Sequence, residues 1–171
     1  MMRGMTTQPL HKICLGLCSN LGDRLANLRT AFAELRKVMT ISASSLVYEN
    51  PAAFVTDQPD FLNAAVSGET VMDPEELLRI VKNIEHALGR KPTFRNGPRV
   101  IDIDILFYDD LKLSAPGLTI PHPGVPDRMF VLRPLDDIVP DWPHPVTGLT
   151  VRAMLKDLPD THDMHPSSEA L

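Results

Sequence analysis

Two aspartates separated by one residue are the clearest candidates for a chemical role in this chain. Residues 100–105 alternate, so a strand would place Asp102 and Asp104 on one face and the neighbouring isoleucines on the other. The Cα atoms of the two aspartates would lie roughly 6–7 Å apart, so both carboxylates could bind one or two hard cations such as Mg²⁺. A half-buried strand with a solvated acidic face has the same pattern, and the motif alone does not decide between the two interpretations.

The segment just before this pair is basic. It contains Arg90, Lys91, Arg95 and Arg99, four cations within ten residues. Phosphoryl transfer depends mainly on positioning and charge neutralisation, and an arginine can hold two phosphate oxygens at once. A basic loop next to a carboxylate pair therefore predicts a site for a Mg-nucleotide. The alternative is a solvated loop that pairs with surface acids.

Other common phosphate and hydrolase motifs are missing. The sequence has no G-x-x-x-x-G-K-S/T, G-x-S-x-G or H-E-x-x-H pattern, which argues against a P-loop enzyme. Residues 16–23, with Gly16, Asn20 and Gly22, superficially suggest a phosphate-binding loop. We interpret them as a tight turn from a strand into a helix.

The elements that must position these residues follow from the hydrophobic pattern. We predict strands at residues 12–18, 42–49, 61–70 and 99–107, and helices at residues 23–39 and 73–88. The second helix is the best marked, because Asp73 can cap it, Pro74 suits its first turn and Gly89 ends it. The order β-α-β-β-α-β predicts an α+β, ferredoxin-like sandwich with a mainly antiparallel sheet and a C-terminal extension.

The pattern weakens after residue 107. We expect a short strand near residues 111–113, apolar residues 129–135 packed back on the core, and a short helix starting near Thr150. Residues 1–171 are predicted to form a single domain with its core at about residues 12–158. Residues 1–10 and 160–171 are expected to be flexible, and the loops at residues 50–60 and 89–98 to be mobile without ligand.

Composition limits the classes of partner. Seventeen basic and twenty-two acidic residues give a net charge of −5, and only 5% of residues are aromatic, so nucleic acid and anionic membrane are not expected partners. No stretch is long and apolar enough for a signal peptide or a membrane span. Cys14 and Cys18 would share one strand face as reduced thiols. We therefore expect a cytoplasmic protein.

Several segments resemble, in order, those of the 6-hydroxymethyl-7,8-dihydropterin pyrophosphokinase family. The segment at residues 95–106 (RNGPRVIDIDIL) is similar to the family's signature. Similar blocks are LCSNLGD at residues 17–23, YENP at 48–51, DQPDFLNAA at 57–65, IE with GR at 84–90, IPHP at 120–123 and RMFVLRPL at 128–135. The blocks cover roughly residues 13–140.

The resemblance implies transfer of the β,γ-diphosphoryl group of ATP to the hydroxymethyl oxygen of the pterin, with release of AMP. It implies two Mg²⁺ ions held by Asp102 and Asp104, and charge neutralisation by Arg90 and Arg99 as the catalytic residues. The implied pterin site consists of Asn50, Pro51, Phe61, Asn63 and Phe130. The implied ATP site consists of Lys82, Glu85, Arg95, Ile105, Thr119, His122 and Arg128. ATP and the pterin are the expected partners of a monomer.

Four positions depart from the family pattern. Cys18 stands where the family usually has Gly, Lys82 where we expect a Gln, Asn96 where some members have a Trp, and Pro123 at a position that can be aromatic. His122 is expected to matter for function and His144, in the similar tripeptide at residues 143–145, is not.

Two rival hypotheses are of other kinds. One is a different Mg-dependent phosphotransferase or phosphohydrolase on the same fold, which would release ADP rather than AMP. The other is a ferredoxin-like binding module for RNA or a small regulator. The strands offer few central aromatics and little basic surface for RNA, and a regulatory module would have no use for the aspartate pair.

Overall fold

A central antiparallel sheet with helices on both faces forms the core of the computed structural model, which describes residues 7–160 and 163–171. The sheet has the strand order β5-β1-β4-β3-β8, and β2 also pairs with β4, whereas β6 and β7 form a separate hairpin. The strands are β1 (His11–Ser19), β2 (Thr40–Ser44), β3 (Leu46–Asn50), β4 (Phe61–Thr70), β5 (Asp102–Tyr108), β6 (Leu113–Ala115), β7 (Leu118–Ile120) and β8 (His165–Ala170). The helices are α1 (Arg24–Val38), α2 (Pro74–Ala87), α3 (Met129–Ile138) and α4 (Val151–Asp157).

The predicted cap of α2 at Asp73 is confirmed, and Asp23 caps α1 in the same way. The Asp23 carboxylate accepts the Ala26 N–H at 3.1 Å at the start of α1, and the Asp73 carboxylate accepts the Glu76 N–H at 2.8 Å at the start of α2. Each cap satisfies a backbone donor that has no partner within the helix. The two helices therefore begin next to the residues at which the sequence predicts them.

Helices α1 and α2 cover one face of the sheet. Leu28 and Leu35 of α1 and Leu77 of α2 are fully buried against it. Ile103 and Ile105 of β5 point into the same core. Because side chains alternate along a strand, the two aspartates of β5 lie on the opposite face.

Helices α3 and α4 cover only part of that opposite face. Leu132 of α3 and Met154 of α4 pack with Cys14, Leu106 and Phe107 in a second apolar cluster. Gly16 and Cys18, further along β1, lie beyond this cluster and line a cavity instead. One end of the sheet is therefore left open for a site, next to the aspartates.

The predicted strand at residues 42–49 is wrong as one continuous strand. It is divided into β2 and β3 around Ser45, whose backbone N–H donates to the Ala65 carbonyl at 2.9 Å and whose hydroxyl accepts the Ala65 N–H at 2.8 Å. The register between β2 and β4 also shifts after Ile41. At Gly68 a Cβ atom would lie 2.2 Å from the Thr40 carbonyl oxygen, so the close approach of β2 requires glycine.

Several other segments refine or correct the predictions. The predicted strand at residues 99–107 begins later, at Asp102, so Arg99 precedes it. Residues 129–135 pack on the core as part of α3, and Thr150 caps α4 as predicted. His165–Ala170, within the segment that we expect to be flexible, form β8 on the edge of β3. The predictions for residues 1–6 and 161–162 lie outside the described residues.

Among the helices of residues 7–160 and 163–171, none has the length and apolar character needed to cross a bilayer.

Candidate active site

The two aspartates open β5 and face away from the main core. Asp102 is 7% exposed, whereas the side chain of Asp104 is 37% exposed, and the intervening Ile103 is 1% exposed on the other side. β5 pairs with β1 through Cys18 opposite Asp102 and Gly16 opposite Asp104. The alternation predicted from the sequence is thus present.

Two arginines hold the carboxylate of Asp102. Arg90 donates to one oxygen at 2.5 Å and Arg99 donates to the other oxygen at 2.7 Å. The backbone of both arginines belongs to the loop between α2 and β5. The chain thus brings together the carboxylate pair and the two cations that the sequence places within fifteen residues of one another.

The charges of this cluster shift its pKa values in opposite directions. Burial opposes ionisation of Asp102, but Arg90 and Arg99 outweigh it and lower the pKa of this carboxyl. Burial and the negative charge of Asp102 together raise the pKa of Asp104 to about 7. A carboxylate that ionises reluctantly next to an ionised one is a site that a cation would stabilise.

Glu85, on α2, connects the cluster to the backbone of β5. It is 3% exposed, and its carboxylate accepts the Ile103 N–H at 2.8 Å and pairs with Arg90 at 2.9 Å. The Lys82 ammonium nitrogen also pairs with the Glu85 carboxylate, at 3.1 Å. Because β5 is an edge strand in this sheet, Glu85 supplies the acceptor that a neighbouring strand would otherwise give to Ile103.

A first cavity lies on the open end of the sheet and is lined by aromatic and amide side chains. Phe61 and Phe130 both line it, as does Asn63, whose side-chain amide donates to the side-chain oxygen Oδ1 of Asn50 at 2.6 Å. A planar heterocycle needs apolar faces and a few fixed polar groups, and these side chains provide both. Further lining residues are Gly16, Cys18, Ala53, Phe54, Gln58 and Leu106.

A second cleft, next to the first, is lined largely by cations. Six of its side chains are basic and three are acidic: Lys82, Arg90, Lys91, Arg95, Arg99 and Arg128 against Glu85, Asp102 and Asp104. His122 also lines it, with Nε2 3.9 Å from the Asp104 carboxylate. Burial lowers the pKa of His122, with a smaller contribution from Arg128, so the imidazole is favoured in its neutral form.

The aspartates stand on the boundary between the two spaces. Asp102, Asp104, Arg99, Arg128 and Asn96 line both of them. A ligand in the aromatic cavity and a ligand in the basic cleft would therefore meet at the carboxylate pair.

Three of the predicted site residues lie elsewhere. Ile105 is 4% exposed in the main core, on the opposite face of β5 from the aspartates, and its side chain lines neither space. Pro51 is exposed beside the aromatic cavity, where its carbonyl accepts from the Asn50 amide. Thr119 lies on β7 in an adjoining apolar groove that also contains His122.

Sequence reasoning missed two features of the site. Phe54, 54% exposed at the cavity, lies edge-on to Phe130 with 6.5 Å between ring centroids, and the Arg128 guanidinium lies 4.9 Å from its ring centre. Gln58 and Asn20 join the loops that border the two spaces. An aromatic residue in a proline-flanked loop was the available signal for Phe54, whereas nothing local indicated the partner of Asn20.

Cys14 and Cys18 are both free thiols, as the sequence predicts. Cys14 is buried in the second apolar cluster, whereas Cys18 lies with its sulfur 3.9 Å from the Asp102 carboxylate. Burial, together with the charges of Asp102 and Asp104, raises the pKa of Cys18. Cys18 therefore lines the cavity as a neutral thiol.

No set of three or more His, Cys, Asp or Glu side chains suited to a metal ion occurs in the described part of the chain. A two-carboxylate site nevertheless fits Mg²⁺, which usually keeps water and substrate phosphate oxygens among its ligands.

Comparison with known proteins places these features in one family. The family model for 7,8-dihydro-6-hydroxymethylpterin-pyrophosphokinase (HPPK) matches residues 14–140. A 2-amino-4-hydroxy-6-hydroxymethyldihydropteridine pyrophosphokinase of Aquifex aeolicus is 38% identical over 154 residues, which cover 90% of this chain and 94% of that protein.

Longer relatives also match. The folic acid synthesis protein FOL1 of Dictyostelium discoideum is 41% identical over 153 residues, which cover 90% of this chain and only 23% of that protein. The chain thus spans about a quarter of the length of this relative. A crystal structure of a Plasmodium falciparum HPPK-DHPS variant superposes with a TM-score of 0.73 at 18% identity, covers 89% of this chain and 46% of that one, and supports the fold. With a match across most of its length, the chain belongs to the 7,8-dihydro-6-hydroxymethylpterin-pyrophosphokinase family.

Proposed function

We propose that the protein transfers a diphosphate group from ATP to 6-hydroxymethyl-7,8-dihydropterin, giving AMP and the pterin diphosphate in folate biosynthesis. The observation that carries this proposal is the position of Asp102 and Asp104 on the wall shared by an aromatic cavity and a basic cleft. Membership of the family and the names of the relatives support the same activity.

The pterin is assigned to the aromatic cavity. Its flat ring would stack between Phe61 and Phe130, and its polar edge would meet the amides of Asn50 and Asn63. These two amides already bond to each other, and Asn63 keeps further donor and acceptor capacity for a ligand. Asn63 is 6% exposed, so its orientation is fixed before the ligand arrives.

ATP is assigned to the basic cleft. The triphosphate would lie among Arg90, Arg99 and Arg128, with Lys82, Arg95 and His122 further along the cleft. Asp102 and Asp104 would hold two Mg²⁺ ions, which, when bound, neutralise charge on the phosphate oxygens. The raised pKa of Asp104 supports a cation at this position, because a cation would stabilise its ionised form next to Asp102.

In the proposed reaction the pterin hydroxyl oxygen attacks the β-phosphorus of ATP. The bond from the β-phosphorus to the oxygen of the α-phosphate breaks, AMP leaves, and the hydroxyl proton passes to water. Arg90 and Arg99 would exchange Asp102 for phosphate oxygens and stabilise the charge that develops there. Asp102 is tied to two arginines and Asp104 is assigned to the metal, so we assign neither carboxylate as a general base.

Two structural statements belong to this proposal. A ferredoxin-like framework is supported by the strand order, in which β1 lies between β5 and β4, and β4 lies between β1 and the divided β2–β3 strand. We also propose that the protein acts as a monomer, which a site lined by residues of a single chain permits.

A product assay tests the function. The purified protein is incubated with Mg-ATP and 6-hydroxymethyl-7,8-dihydropterin, and nucleotides and pterins are separated by chromatography. AMP and pterin diphosphate in equal amounts are the expected products. Release of ADP, or AMP formation that does not need the pterin, would instead identify a different phosphotransferase or hydrolase.

A further inference from the structure

Asn20 is a buried polar residue between β1 and α1 that the proposed reaction does not use. It is 2% exposed and lines neither the aromatic cavity nor the basic cleft. The possibility that residues 16–23 form a phosphate-binding loop therefore has no support at Asn20. Its side chain turns instead toward two other segments of the chain.

Two backbone groups fix the orientation of the Asn20 amide. Its oxygen accepts the Arg99 N–H at 2.8 Å, and its NH₂ group donates to the Pro59 carbonyl at 3.0 Å. A backbone N–H can only donate and a carbonyl can only accept, so the opposite amide orientation would lose both bonds. The Asn20 backbone N–H also donates to the Arg99 carbonyl at 3.1 Å, so both backbone polar groups of Arg99 are bonded to Asn20.

Gln58 connects Asn20 to the loop before β4 and to the loop before β5. Its side-chain oxygen accepts from Asn20 at 2.9 Å, and its NH₂ group donates to the carbonyls of Val55 at 2.7 Å and Asn96 at 2.8 Å. Gln58 lines the aromatic cavity, whereas Asn96 and Arg99 line both that cavity and the basic cleft. Two amide side chains thus join the turn after β1 to the loops of both ligand spaces.

We propose that Asn20 is a positioning residue, which sets Arg99 for the phosphates and, through Gln58, fixes the pterin loop relative to it. This inference rests on the proposed function. Arg99 precedes β5 and has no strand partner, so the bonds from Asn20 take the place of a sheet at this point. Loss of the Asn20 side chain removes the bond to the Arg99 N–H, and the loop then keeps the backbone bond to the Arg99 carbonyl, the Gln58 bond to Asn96 and the arginine side chains on Asp102.

Substitutions at Asn20 separate its two roles. Asn20→Asp keeps an acceptor for the Arg99 N–H and loses the donors to Pro59 and Gln58, so the KM for the pterin is expected to rise about tenfold with kcat little changed. Asn20→Ala loses every side-chain bond, so kcat is also expected to fall about tenfold or more. Gln58→Leu should reproduce the effect on the pterin KM and add little to Asn20→Asp in the double variant.

Asn27→Ala is the matched control. Asn27 bonds to the Leu21 carbonyl and the Ser19 hydroxyl within the same turn and touches neither loop. Normal kinetics for Asn27→Ala next to the expected losses at Asn20 supports positioning. Equal kinetic losses in the two alanine variants, or wild-type kinetics in Asn20→Ala, would overturn the proposal. If Asn20→Ala does not fold, Asn20→Asp and Gln58→Leu decide it, since wild-type pterin KM values in both also overturn it.

Limited trypsin digestion gives a reading that does not depend on activity. The loop before β5 has trypsin sites after Arg90, Arg95 and Arg99, and cleavage there reports how often the loop opens. Faster cleavage at these sites in Asn20→Ala than in Asn27→Ala supports the proposal, and equal rates contradict it. If the wild-type protein makes no AMP, the proposed function fails, while the digestion still tests whether Asn20 holds the loop.

Discussion

At the scale of single residues, the site is built on charges that already neutralise one another. Asp102 is paired with Arg90 and Arg99, and Arg90 is shared with Glu85. Separating a buried carboxylate from its cations is costly unless another cation replaces them. The arginines are therefore expected to leave Asp102 for a triphosphate only when a divalent ion takes their place at the carboxylate.

Replacement of either aspartate tests this arrangement. Asp102→Asn and Asp104→Asn are each expected to lower kcat at saturating substrates by about 10²–10³-fold or more, because a neutral amide cannot hold the cation that stabilises the transferred charge. Steady-state AMP formation measured across a Mg²⁺ titration checks the prediction. Asp110→Asn, at an exposed aspartate in the turn after β5, is the control and should behave as wild type. Near-normal rates in both folded site variants would show that the pair does not bind the metal.

At the scale of the elements, the sequence predicts those helices and strands whose ends are set by residues within the same segment. Helix α2 was predictable because Asp73, Pro74 and the apolar stripe act within one segment. The division of β2 from β3 was not, since it depends on Ser45 bonding to Ala65 twenty residues away. Strand β8 has no apolar alternation and is held by backbone pairing with β3, which depends little on side-chain type.

The same distinction between contacts that are close in sequence and contacts that are distant in sequence applies to the site. Asp102, Asp104, Arg90 and Arg99 were predictable because they lie close together in sequence. The bond from Asn20 to Arg99 spans 79 residues, and no spacing rule indicates it. Ile105 illustrates the opposite case, since family resemblance pointed to the nucleotide whereas strand alternation places its side chain in the core.

The turn between α3 and α4 shows an element stabilised by one neutral histidine. Nδ1 of His144 accepts the N–H groups of Val146 at 3.2 Å and Thr147 at 3.1 Å, and the ring packs edge-on to Phe107. Burial lowers the pKa of His144, so the folded state favours the neutral ring. Its contribution to stability is therefore complete above the ordinary histidine pKa of about 6.5 and is lost as the pH falls below that value.

The variant His144→Asn tests this pH dependence. Asparagine can still accept at this position but does not titrate, so the variant should be less stable than wild type at pH 7.5 because it loses the ring contact. Its stability should then fall less steeply between pH 7 and pH 5. Urea denaturation across that range measures both effects, with His86→Asn, at an exposed histidine of α2, as the control. Identical slopes for His144→Asn and wild type would contradict the assignment.

At the scale of the whole molecule, the charge of the cleft opposes the charge of the chain. The protein carries a net charge of −5, yet the cleft has six basic and three acidic side chains. The anionic nucleotide is therefore attracted locally to a protein that repels it at a distance. Helix α2 and the loop that follows it produce this contrast, because they collect the basic residues of 82–99 at one end of the sheet.

Ionic strength should consequently affect the two substrates differently. Raising the salt concentration from about 0.05 M to about 0.5 M shortens the screening length from above 10 Å to a few Å, so the KM for ATP should rise severalfold. The uncharged pterin enters a cavity lined by aromatic and amide groups, so its KM should change little. Initial rates with each substrate varied in turn provide the measurement.

Variants at the rim of the cleft identify the source of the attraction. Lys91→Ala and Arg95→Ala should each raise the KM for ATP at low salt and reduce its salt dependence, because both residues line the cleft without pairing with the aspartates. Lys156→Ala removes an equal charge from the exposed surface of α4 and should leave both quantities as in wild type. An equal effect of all three variants would mean that net charge, rather than the arrangement of the cleft, governs the encounter with ATP.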